Sequence, residues 1–132
     1  MNPLKISYLF FILVAVSCQK SKPSYQSKPD AVRDLLVDRI SWKPQPAGNR
    51  TGIQRNEHTF SITNTSREHG YRQIQVRFDY YDAHYHRIGT EHVTLPQSLE
   101  ARSMVAILPI QVGTANPLTT SATVRIERAV SE

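Results

Sequence analysis

Between Tyr71 and Asp82 apolar and polar residues trade places one by one, with Ile74, Val76, Phe78 and Tyr80 in one register and Gln73, Gln75, Arg77 and Asp79 in the other. That period of two predicts a strand with one face against a core and the other in water. Shorter runs of the same kind lie at 59–63, 88–95, 104–111 and 122–128; in the last, Ala122, Val124 and Ile126 alternate with Thr123, Arg125 and Glu127. Between the runs stand turn compositions: Asn64-Thr65-Ser66, Ala83-His84-Tyr85, Pro96-Gln97-Ser98 and Ala115-Asn116-Pro117. The first segment is ambiguous. Apolar residues at 31, 32, 35, 36 and 40 fit a short capped helix, while Leu35 to Trp42 fits an edge strand equally well. The strand is the reading adopted, with Pro44 and Pro46 ending it. Six to seven short strands with no helical stripe between them predict an all-β, two-sheet antiparallel sandwich, with an open five-stranded barrel as the second arrangement.

A different pattern opens the chain. Lys5 precedes an uncharged run from Ile6 to Val16, the layout of a secretory n-region and h-region. The run of about 11 residues, at roughly 1.5 Å each, reaches about half of the ~30 Å hydrocarbon core that a spanning helix must cross. It ends in Ala15-Val16-Ser17-Cys18, which resembles the lipobox of bacterial prolipoproteins, with alanine where leucine is usual. The resemblance implies cleavage before Cys18 and a covalent lipid on its sulfur. Cys18 is the only cysteine, so no internal disulfide can form. Residues 1–17 are therefore expected to be a signal peptide, 18–30 a lipidated cysteine with a flexible tether, and 31–132 the sandwich domain. The segment from Gln19 to Pro29 carries Lys20, Lys22 and Lys28, two prolines and no apolar period, a composition that buries no core. Gln19 does not resemble the aspartate that retains many lipoproteins at the inner membrane. The expected address is thus the outer membrane of the bacterial envelope, facing the periplasm.

The formal net charge of +5 falls to +4 once Lys5 leaves with the leader. Lysines held near a bilayer each add up to ~1 kcal/mol of attraction to anionic headgroups. About 100 residues remain for folding, enough for one domain with a modest core.

The strand pattern also resembles the FxLYD-type immunoglobulin-like domains of bacterial and archaeal envelope proteins, and small envelope lipoproteins of enterobacteria. The likeness rests on Phe60 to Ser66, Tyr71 to Asp82, Ile88-Gly89, Pro96 to Ser103 and Ala122 to Ile126, and covers roughly residues 57–129. It departs where a glycine usually stands two residues after Asp82, a place held here by His84. The resemblance implies an immunoglobulin-like sandwich and no known chemistry.

Five histidines are many for such a chain. His84-Tyr85-His86 puts two imidazoles on one side of an extended segment, where both can reach one copper or zinc ion, with His92 or Asp82 as a third ligand. The plainer reading is a set of exposed turn histidines and no metal. Motifs for serine, zinc or redox chemistry and for phosphate binding are missing, so no catalysis and no cofactor other than the lipid are expected. Tyr81, Tyr85 and Arg87 are the candidate interaction surface, fitted to an envelope protein or a glycan. An exported address makes nucleic acid a poor partner. The function expected is that of a membrane-anchored module that binds or supports another envelope component, with a periplasmic metal-binding protein as the alternative.

Overall fold

The computed structural model describes residues 27–45 and 52–132; Cys18, the leader, the tether up to residue 26 and Pro46 lie outside them. One helical turn, α1 (Ala31–Asp34), precedes six strands: β1 (Leu35–Gln45), β2 (Arg55–Asn64), β3 (Tyr71–Tyr81), β4 (Arg87–Leu95), β5 (Met104–Thr114) and β6 (Ser121–Ser131). They form two three-stranded antiparallel sheets, ordered β1-β2-β5 and β4-β3-β6. The protein is an all-β sandwich. The chain crosses between sheets after β2, after β4 and again after β5.

The interior follows from the alternation. Ile74, Val76, Phe78 and Tyr80 of β3 are buried, opposite Phe60 and Ile62 of β2 and Ile107 and Val112 of β5, with Leu35, Leu95, Val124 and Ile126 completing the layer. Each such side chain contributes about 1.5–3 kcal/mol by leaving water. Leu99 joins them from the β4–β5 loop, because its backbone exchanges two 2.8 Å hydrogen bonds with Tyr71.

The ambiguous first segment is both helix and strand in succession. Asp30 caps α1 by accepting from the Val32 and Arg33 amides, and the backbone turns extended at Leu35, where burial of Leu35 and Val37 against the core favours a strand. Pro44, expected to end that strand, instead lies inside it, paired with Asn56. β1 is an edge strand, where a missing amide is tolerated if it faces away from the neighbour. Residues 27–30, expected to belong to the tether, are held by the domain. The His69 ring donates to the Ser27 carbonyl at 2.6 Å, Arg33 donates to Lys28, and the Asp30 amide donates to the Tyr71 hydroxyl at 3.0 Å.

Buried polar groups knit this same end. Asn64 donates to the carbonyls of His69, Leu99 and Glu100 and accepts from the Ser66 amide, so one side chain fastens the β2–β3 and β4–β5 loops together. The Tyr71 hydroxyl donates to Asp34, whose carboxyl is held below the usual carboxylate range first by Arg33 at 2.8 Å and then by that hydroxyl. Burial, with Asp34 adding, pushes Tyr71 up to about 12. This end, with Ser27, the 65–70 and 96–103 loops and Glu132, is the proximal pole. The 82–86 and 115–120 loops mark the distal pole.

Candidate functional site

Two places at the distal pole gather chemistry-bearing residues. The first is the β3–β4 turn. Asp82 shapes it: one carboxylate oxygen accepts from the His84 and His86 amides at 2.8 and 2.9 Å, the other lies 3.3 Å from the His86 ring, and the Tyr85 amide donates to the Asp82 carbonyl. Those amides hold the Asp82 carboxyl below its ordinary value, the His86 amide first. The residue with left-handed backbone is Tyr85, at φ 61°, not His84. A side chain there costs roughly 1–2 kcal/mol, and it is spent on presenting a phenol that is 83% exposed. Tyr81 and Arg87 stand opposite each other across β3 and β4, with Arg87 3.8 Å from Asp79, so the three expected surface residues share one end of one sheet.

His84 and His86 lie with ring centroids 6.1 Å apart. His92 is not with them. It sits five residues along β4 from Arg87, about 17 Å at strand rise, and bonds Glu127 at 2.9 Å. Among the described residues no three His, Cys, Asp or Glu side chains gather as a metal-binding group.

Asp79 was expected on the wet face, and it does point outward; yet it is fully buried. Arg77 at 3.0 Å and the Thr90 hydroxyl at 2.8 Å close over it. Alternation assigns a face correctly and says nothing of what neighbouring side chains cover.

The second place is inside the sandwich. The core-facing register of β2 runs Asn56, His58, Phe60, Ile62, Asn64, and that of β4 runs Gly89, Glu91, Val93, Leu95. The distal half of the interior is therefore polar. His58 is wholly buried, its ring 4.3 Å from that of Phe78 and its Nε2 2.9 Å from the Tyr80 hydroxyl; Nδ1 has no partner. Burial drives this imidazole down to about 4, so it is neutral at pH 7. A proton on Nε2, donated to Tyr80, leaves only an acceptor unpaired and is the cheaper tautomer. Burial raises Tyr80 well above the ordinary phenol value, with Glu91 adding to the rise. Asn56 accepts from the Trp42 indole at 2.9 Å and donates to the Thr114 carbonyl at 3.3 Å.

A cavity of about 240 Å³ opens beside this cluster, lined by Asn56, Tyr80, Gly89, Glu91, Thr114 and Thr119 among others. No family model, curated protein or solved structure matches the chain. The residues alone thus carry its meaning. None of this second site was singled out from the sequence, although a signal was present: in β2 and β4, residues of polar type occupy the parity that elsewhere in each strand is apolar.

Proposed function

We propose that this chain is a non-catalytic, lipid-anchored module of the bacterial envelope, an immunoglobulin-like sandwich held at the outer membrane through Cys18 and facing the periplasm. It binds an envelope protein or glycan at its distal pole. The observation that carries this reading is the separation of the two ends. The described chain starts at the proximal pole, and the exposed Tyr85 with Tyr81 and Arg87 lies at the other, an 11-residue strand away, about 35 Å. Between Cys18 and Ser27 the chain reaches at most about 30 Å, and because it joins the domain at the proximal pole, attachment there favours the proximal loops toward the bilayer and leaves the Asp82–Arg87 turn the more accessible end. Two facing antiparallel sheets linked by repeated crossings are consistent with an immunoglobulin-like arrangement.

The test is site-specific photo-crosslinking in intact membranes, with the crosslinker placed at Tyr85 or, as a control, at Ser98 on the proximal loop. The expected result is a discrete adduct from position 85 alone, together with fatty-acid labelling that Cys18→Ser abolishes. Equal adducts from both positions, or an unlabelled wild-type cysteine, would overturn the reading.

A further inference from the structure

We propose that the distal cavity binds a small organic cation bearing a primary ammonium group, with Glu91 as its counter-ion. This goes beyond the tethered-module reading and does not depend on the lipid.

Glu91 is the one charged side chain among the residues that line the cavity. It pairs in register with the buried Phe78, so it occupies the core-facing side of edge strand β4, yet it stays exposed at the rim. Among the described residues no cation lies within ion-pair distance of it. The Glu91 side chain lies across β5 at Gly113, whose left-handed backbone at φ 56° suits glycine: a Cβ there would stand 2.5 Å from Oε1. Gly89 leaves the rim open above Tyr80, whose ring is 3.4 Å from where a side chain would begin. An inward charge on an edge strand also discourages edge-to-edge pairing. That role alone does not account for the Thr119 hydroxyl, which is buried in the cavity wall without a partner.

The chemistry selects the ligand. With Glu91 at the rim and no basic residue in the wall, anions are repelled. An ammonium group has three N–H donors to place; the carboxylate takes one or two and the Thr119 hydroxyl can accept another. The Asn56 amide and the Thr114 carbonyl are already engaged with each other, so they shape the floor rather than grip the guest. The volume of about 240 Å³ equals roughly eight water molecules at ~30 Å³ each. That suits a short alkylamine or a single amino sugar and not a drug-sized molecule.

Glucosamine, butylamine and glucose, titrated into the full chain and followed through the amide resonances of Gly89, Glu91, Gly113 and Thr119, separate the outcomes. Saturable shifts are expected with the two amines. Glucose, the neutral analogue, should bind at least tenfold more weakly, and Glu91→Gln should weaken glucosamine at least tenfold. Thr119→Val, which removes no charge, should weaken it by a smaller factor. Absence of saturable shifts with both amines, or unchanged binding in Glu91→Gln, would overturn the site. Glucose binding as well as glucosamine would overturn the cation assignment. Failure of Cys18 to carry lipid would leave all these titrations as they are, so the two readings fail separately.

Discussion

Protonating His58 should destabilise the sandwich, and the structure sets the size of the effect. In the unfolded chain this imidazole takes up a proton near its ordinary value of 6.5; in the fold, burial delays uptake to about 4. Between those limits the unfolded state binds the extra proton, so stability rises with pH. The contribution is complete above about pH 6.5 and drains away as pH falls toward 4. At ~1.36 kcal/mol for each tenfold change, the full loss is about 3 kcal/mol, a large share of the roughly 5–15 kcal/mol that holds a domain of this size. The depressed carboxyls, Asp34 and Asp82, contribute in the other window: their stabilisation is lost only below about pH 4, as pH falls through their folded values. Urea titrations at pH 7, 6, 5 and 4.5 should show the midpoint falling by about 1 M or more, given a slope of about 1–3 kcal/mol per molar. His58→Gln, which can still reach the Tyr80 hydroxyl but does not titrate, should flatten most of that dependence. Parallel pH profiles for wild type and His58→Gln would refute the reasoning, because the slope would then belong to other groups.

Four further outcomes follow. Asn64→Ala strands the His69 carbonyl and the Ser66 amide, while the Leu99 and Glu100 carbonyls keep their bonds from Tyr71 and Ser103, and should cost about 2–4 kcal/mol in urea unfolding; Asn64→Asp should be no better, since a carboxylate oxygen would face those carbonyls. Asp79→Ala leaves the partly exposed Arg77 and the Thr90 hydroxyl without their buried partner and should cost about 1–3 kcal/mol, with Asp79→Asn milder; a change below about 0.5 kcal/mol would contradict the pairing. Tyr85→Gly relieves a left-handed side chain and should leave Tm unchanged or raise it by up to ~5 °C while abolishing the adduct formed by a crosslinker moved to the neighbouring position 81, and zinc or copper should leave Tm of the wild type unmoved; a rise that disappears in His84→Ala would assign a metal to the turn instead.

Much of the sandwich was legible because a strand of alternating residues reports its own faces. The β3 register and the alternating half of β6 could be read directly, and so could the turns at Asn64, Ala83, Pro96 and Ala115. Three features were not legible, each for a physical reason. The change from α1 to strand at Leu35 is decided by a local cap at Asp30 and by Tyr71, forty-one residues away, so the apolar spacing over residues 31–40 fitted helix and strand alike. The burial of Asp79 depends on Arg77 and on Thr90 of the neighbouring strand, and a face assignment does not count covering neighbours. The polar cavity is built by residues on four strands, and its parity signal in β2 and β4 gains meaning only once the sheets are known to face each other there. At the turn, the histidine pair was visible, but the register that sends His92 to Glu127 was not.

β1 begins at the proximal pole and runs to the distal one, paired along its length with β2. If a bilayer pulls on its first residue while a partner grips the opposite end, the load lies along the strand axis. The ladder bonds then share the force side by side instead of parting in sequence as a zipper does, so the anchorage would resist tugging far better than the same number of bonds loaded crosswise.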